Sequence, residues 1–178
     1  MPDHTISSTP IAPPNDASKT QLVQWAIGRI SAQDLDSLRN FWTADTTVHF
    51  PTGTCHGHAE IAAYFEQVFA ALADFTLEIV SVAESEHDVL VHWHLTGQHV
   101  GTFMGIAGTG RRIDLEGFDH FVVENGHVVT NTVRYDQMEF ARQIQLLPAD
   151  GSIADRAVKA AFNAATRVRH LARRRQGR

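Results

Sequence analysis

Near residue 74 the spacing of apolar residues changes, and that change limits the fold more than any other feature of the chain. Before it, apolar residues recur every three to four positions, as a helix buried on one face requires. Leu22, Val23, Ala26, Ile27 and Ile30 predict a first helix starting near Ser18 or Thr20. Leu35, Leu38, Phe41 and Trp42 predict a short second one. Ile61, Ala62, Phe65, Val68, Phe69 and Leu72 predict a third over HAEIAAYFEQVFAAL. Beyond it, FTLEIVSVAES, DVLVHWHLTG, GRRIDLEGFDHFVV and HVVTNTVRYD alternate with period two and read as four strands. The last two are joined by Glu124-Asn125-Gly126-His127, and Asn-Gly is the strongest short hairpin signal. A short strand, TTVHF, precedes the loop PTGTCHG. Helices first and an antiparallel meander afterwards predict an α+β fold.

Residues 1–17 are rich in Pro, Ser and Thr and are expected to be a disordered leader, residues 18–147 the folded domain, and residues 148–178 a helical extension. The start of the chain lacks a basic segment followed by an apolar one, and no run approaches the ~18 apolar residues of a membrane span. A single cysteine, Cys55, excludes an internal disulfide and a cysteine-based zinc cluster. These features make the cytoplasm the expected compartment. The net charge of −5 is unevenly spread: from Ser152 onward eight Lys/Arg face Asp155 alone, so that segment carries +7 and everything before it −12. Ser152 can cap a last helix whose apolar face includes Ile153, Val158, Phe162 and Val168. It is expected to pack on the domain, and its basic side can meet an acidic surface.

Alternation sorts the polar residues of the strands by face. Thr130, Thr132, Arg134 and Asp136 share one side of the last strand; His92, His94 and Thr96 share one side of the central strand; Thr47 and His49 point together. Without a bulge, Asp119 stands opposite Thr132. If these stripes line one cavity, it holds His49, His92, His94 and Asp136, with Asp119 and Arg134 beside them. The plainer alternatives are a helix cap for Asp136, an ion pair or solvent for Arg134, an open sheet face for His92 and His94, and a structural role for Asp119. His-x-His on a strand also occurs in cupins, but Gly97, Gln98 and His99 stand where their glutamate belongs. A three-histidine zinc site is therefore only an alternative, and no metal or other cofactor is expected.

Three motifs carry a resemblance to a known family. They are T-G-x-H-x-G at Thr96–Gly101 with G-I-x-x-T-G-R at Gly105–Arg111, the Asn125-Gly126 hairpin, and Tyr135-Asp136 followed by a short helix with Gln143. In this order they resemble the SnoaL-like polyketide cyclases, or ester cyclases, of the nuclear-transport-factor-two-like superfamily, over roughly residues 18–147. The resemblance implies a cone-shaped α+β barrel, a curved and mostly antiparallel sheet wrapped around the N-terminal helices. It also implies a cofactor-independent cyclase or isomerase acting on a small hydrophobic carbonyl compound of secondary metabolism. Asp136 would then be the acid/base, with His92, His94 or His49 stabilising the enolate and Trp25, Trp42, Tyr64 and Phe69 walling the pocket. Epoxide hydrolysis in the same cone and a non-catalytic binding domain are the alternatives. A homodimer is expected through the opposite face of the central strand, where Val91, Trp93 and Leu95 would form an outward apolar patch.

Overall fold

The structure is a computed structural model that describes residues 11–176. Residues 1–10 of the expected leader lie outside the described residues. Helix α1 (Lys19–Ser31) opens with a capping box in which Ser18 accepts from the Gln21 amide and the Gln21 side chain accepts from the Ser18 amide. It buries the five apolar residues that its periodicity marks. The second helix contracts to a 3-10 turn, Asp36–Asn40, because Asp34 binds both the amide and the hydroxyl of Ser37 and starts a new turn there.

Next comes a hairpin, β1 (Thr47–Phe50) and β2 (Gly53–His56), whose second strand lies in the segment expected as loop. Helix α2 (Gly57–Ala71) runs directly into β3 (Leu72–Glu84), which is followed by β4 (Asp88–His99), β5 (Arg112–Glu124) and β6 (His127–Tyr135). The sheet has the order β2-β1-β6-β5-β4-β3, with β1 parallel to β6 and every other pair antiparallel. It is curved and open, and its inner face shares one core with α1 and α2. Asn125 and Gly126 both take positive φ, as the tight turn between β5 and β6 demands. Helix α3 (Gln137–Gln143) is tied to the start of β5 by Gln143, whose amide group accepts from the Asp114 N–H and donates to the Asp114 carbonyl. Helix α4 (Ile153–Gln176) follows. No described helix is long and apolar enough to cross a membrane.

The alternation of the strands is as expected, but its orientation is reversed. Val91, Trp93 and Leu95 face inward, while His92, His94, Thr96, Glu116 and Phe118 occupy the outer face. The reason is the ordinary one for a sheet packed on one side: apolar residues gain by leaving water, and the polar stripes remain solvated. Thus His92 and His94 do not line the cavity, and Val91, Trp93 and Leu95 form no outer dimer patch.

A second correction concerns register. Val123 pairs with Val128 but Val122 with Thr130, so Val129 is an extra residue and β6 is bulged. Asp119 therefore stands opposite Val133 and not Thr132. The one-residue slip moves Asn131, Val133 and Tyr135 to the face of Asp119.

Candidate active site

Between the sheet, the helices and the loop after β4 lies a cavity of about 110 Å³, room for a group of several water-sized atoms. Its wall is aromatic and aliphatic, including Phe50, Tyr64, Phe65, Phe75, Trp93 and Phe103. The loop that brings Phe103 there is closed at its base by two backbone bonds, His99 N–H to the Arg111 carbonyl and Gly110 N–H to the His99 carbonyl. Among the residues lining this cavity, Asp119 is the sole one with a charged side chain.

Asp119 comes from the middle of β5 and is 7% exposed. Trp93 on β4 donates from Nε1 to Oδ1 at 2.8 Å, and Asn131 on β6 donates from Nδ2 to Oδ2 at 2.8 Å. Three neighbouring strands thus fix one carboxylate by neutral donors. Gly117 makes the arrangement possible: it lies opposite both Trp93 and Tyr135, and a Cβ there would overlap the Trp93 ring. Burial pushes the Asp119 carboxyl up to about 6, and the hydrogen bonds from Asn131 and Trp93 offset only part of that. Near neutral pH the group can therefore accept a proton or give one.

Tyr135 ends β6 on the same inner face, diagonally across from Asp119, a separation typical of about 7–8 Å for such pairs. Its neighbour Tyr64 comes from α2 and packs with its ring on Phe50 at 3.7 Å. Burial raises both phenols, and the proximity of Tyr64 raises Tyr135 further. Both hydroxyls stay protonated and can donate hydrogen bonds into an apolar space.

Of the residues singled out from sequence, the structure brings Tyr64 and Asp119 to the cavity. Asp136 is instead the exposed N-cap of α3, where Oδ1 accepts from the amides of Met138 at 2.8 Å and Glu139 at 3.0 Å. His92 lies 3.3 Å from Glu116 and stacks on Phe118; His94 lies 2.7 Å from Asp114. His49 pairs with Thr54 on the outer side of β1, and Arg134 donates to the Val133 carbonyl. Trp42 is buried against Phe65 in the core, outside the cavity lining. Among the described residues no three His, Cys, Asp or Glu side chains converge as metal ligands would. Sequence alone does not mark Trp93, Asn131 or Tyr135 as residues of the site.

The sequence matches the family model for SnoaL-like polyketide cyclases over residues 20–144. The chain belongs to the SnoaL-like polyketide cyclase family. Solved structures agree on the fold. TsrD from Streptomyces laurentii superimposes with a TM-score of 0.67 at 18% identity, covering 74% of this chain and 100% of that one. AclR from Streptomyces galilaeus gives 0.61 at 21% identity, covering 82% and 90%. A SnoaL-like polyketide cyclase from Agrobacterium tumefaciens gives 0.63 at 15% identity, covering 72% and 98%. No curated protein matches the chain by sequence. In this SnoaL-like chain the matched segment holds the whole cavity and ends at Ile144, so α4 lies beyond it.

Proposed function

We propose that the protein is a cofactor-independent cyclase or isomerase of a small, largely hydrophobic carbonyl compound, and that Asp119 moves the proton. The observation that carries this reading is one desolvated carboxylate, poised near 6, in an otherwise apolar cavity with two protonated phenols. The substrate carbonyl accepts a hydrogen bond from Tyr135, with Tyr64 behind it. Asp119 removes the proton from the adjacent carbon, and the electron pair flows into an enolate held by the phenol. In a ring closure the enolate carbon forms the new bond to a second carbonyl, and protonated Asp119 returns its proton to the resulting alkoxide. In an isomerisation the proton returns to another carbon. Trp93 and Asn131 keep the carboxylate aimed, and the aromatic wall excludes water.

The test uses a hydrophobic aryl 1,3-diketone as a probe of enolisation. Its exchange in deuterated water, followed by proton NMR, should be accelerated by the protein without added cofactor and should rise with pH through about 6. Asp119→Asn should lower that acceleration ~10²–10⁴-fold. An undiminished rate in this variant, with Asp136→Asn abolishing it instead, would return the role to Asp136.

A further inference from the structure

A large feature unrelated to the cavity is α4. It has 24 residues, and from Ile153 to His170 only Asp155 is buried. Its base is pinned: Asp155 accepts from the Gly151 amide, and Lys159 reaches both Asp150 and Asp155. Beyond that turn the helix stands in solvent with its apolar side uncovered. Ile153, Val158, Phe162 and Val168 are all exposed, Phe162 by 67%. Alanine and arginine favour this helix by themselves, but an apolar stripe left in water still gains from a partner.

The same chain offers a surface that fits it. On the outer face of the sheet, Val80, Leu90 and Phe118 are exposed on three adjacent strands, Phe118 by 57%. Around them stand Glu78, Asp88, Asp114 and Glu116, against Arg112 and Arg134, on a body that carries −12. Helix α4 presents Arg156, Arg167, Arg169 and Arg173 beside its apolar stripe. We infer that α4 of one copy docks on the outer sheet face of a second copy, the two exchanging helices reciprocally about a two-fold axis.

Charge selects this occupant over the others. Two α4 helices laid together would bring like charges into contact, and an anionic membrane would repel the acidic body. Much of the apolar side is alanine, at 154, 157, 160, 161, 164 and 165, which suits close approach to a protein surface and gives little to insert into lipid. The area is also sufficient. A helix of this length is roughly 36 Å long and 10 Å across, so two reciprocal contacts bury roughly 1,400 Å² in all, within the range of stable interfaces.

Light scattering on the full chain should give about twice the 19.7 kDa of one copy, with the dimer weakening as salt is raised. Phe162→Glu and Phe118→Glu should each give a monomer with an unchanged circular dichroism spectrum, since both side chains are exposed. An equimolar mixture of the two variants should associate measurably more than either variant alone, because a mixed pair restores one of the two reciprocal contacts intact. A monomeric wild type overturns the inference. So does a dimer that Phe162→Glu breaks and Phe118→Glu leaves intact, or a mixture that associates no more than the separate variants. Sedimentation of the wild type with phosphatidylserine vesicles, abolished by Phe162→Glu, would make the helix a membrane element instead.

Discussion

Replacing Asp119 by Asn should remove activity and at the same time stabilise the protein above neutral pH. In the folded state burial raises the Asp119 pKa from 3.8 to about 6. Between these values the folded protein binds more protons than the unfolded chain, so its stability falls as pH rises from about 4 and levels off above about 7. A shift of about two units corresponds to about 3 kcal/mol in total. An asparagine side chain cannot ionise and escapes this loss. Its amide also has a partner: the Asn131 Oδ1 is buried without one, so Asn131 can turn and offer that oxygen to the amide nitrogen introduced by Asp119→Asn. The Trp93 donor still finds the amide oxygen of the introduced side chain. Urea unfolding of both proteins should therefore give a difference that grows in favour of the variant by about 3 kcal/mol between acid and alkaline plateaus, or ~6–12 °C in Tm. Taking the difference removes the other titrating groups. A gap that does not change with pH would refute the raised pKa and, with it, the basis for placing the proton transfer at Asp119.

Three further outcomes follow from the same geometry. Gly117→Ala should push the Trp93 ring off Asp119, costing ~1–3 kcal/mol and abolishing any change in Trp93 fluorescence between about pH 5 and pH 8 that tracks Asp119 ionisation. Tyr135→Phe should keep the fold and lower kcat by ~10²-fold, the effect of losing one donor to a developing oxyanion; a rise in KM alone would make Tyr135 a binding group only. Asp136→Ala should leave activity intact while lowering stability by ~0.5–2 kcal/mol, as removal of an N-cap does, measured by thermal melting beside an activity assay.

The fold is legible because periodicity reports which residues leave water. The buried positions of α1, the meander and the Asn125-Gly126 turn follow directly from the spacing. Strand β2 is not legible because GTCH has no alternation to read, and it exists through its pairing with Thr47–Phe50. The site is less legible for two physical reasons. Alternation separates two faces without saying which one is inside, and the polar stripes of the strands mark what is the solvated face. The bulge at Val129 then changes the partner of Asp119 without a sequence signal, since neither Val128 nor Thr130 forces φ > 0. One signal is present. In Leu115-Glu116-Gly117-Phe118-Asp119-His120-Phe121, Asp119 occupies the apolar stripe of Leu115 and Phe121, and a carboxylate in that stripe must be compensated.

That compensation ties the site to the fold. A carboxylate left unpaired in the core is costly enough to be expelled or neutralised. Here each oxygen receives one neutral hydrogen bond from a different neighbouring strand, so the charge is only partly repaid and the pKa settles near 6. A lysine or arginine partner would repay it fully and hold the group ionised, unable to give a proton back. An apolar neighbour on both sides would keep it protonated, unable to take one. The Trp93 indole reaches Oδ1 only because residue 117 has no side chain, and Asn131 faces Oδ2 only because the bulge turns it inward. The two local irregularities of the central strands, a glycine and an extra residue, are thus what place a half-repaid carboxylate in the cavity.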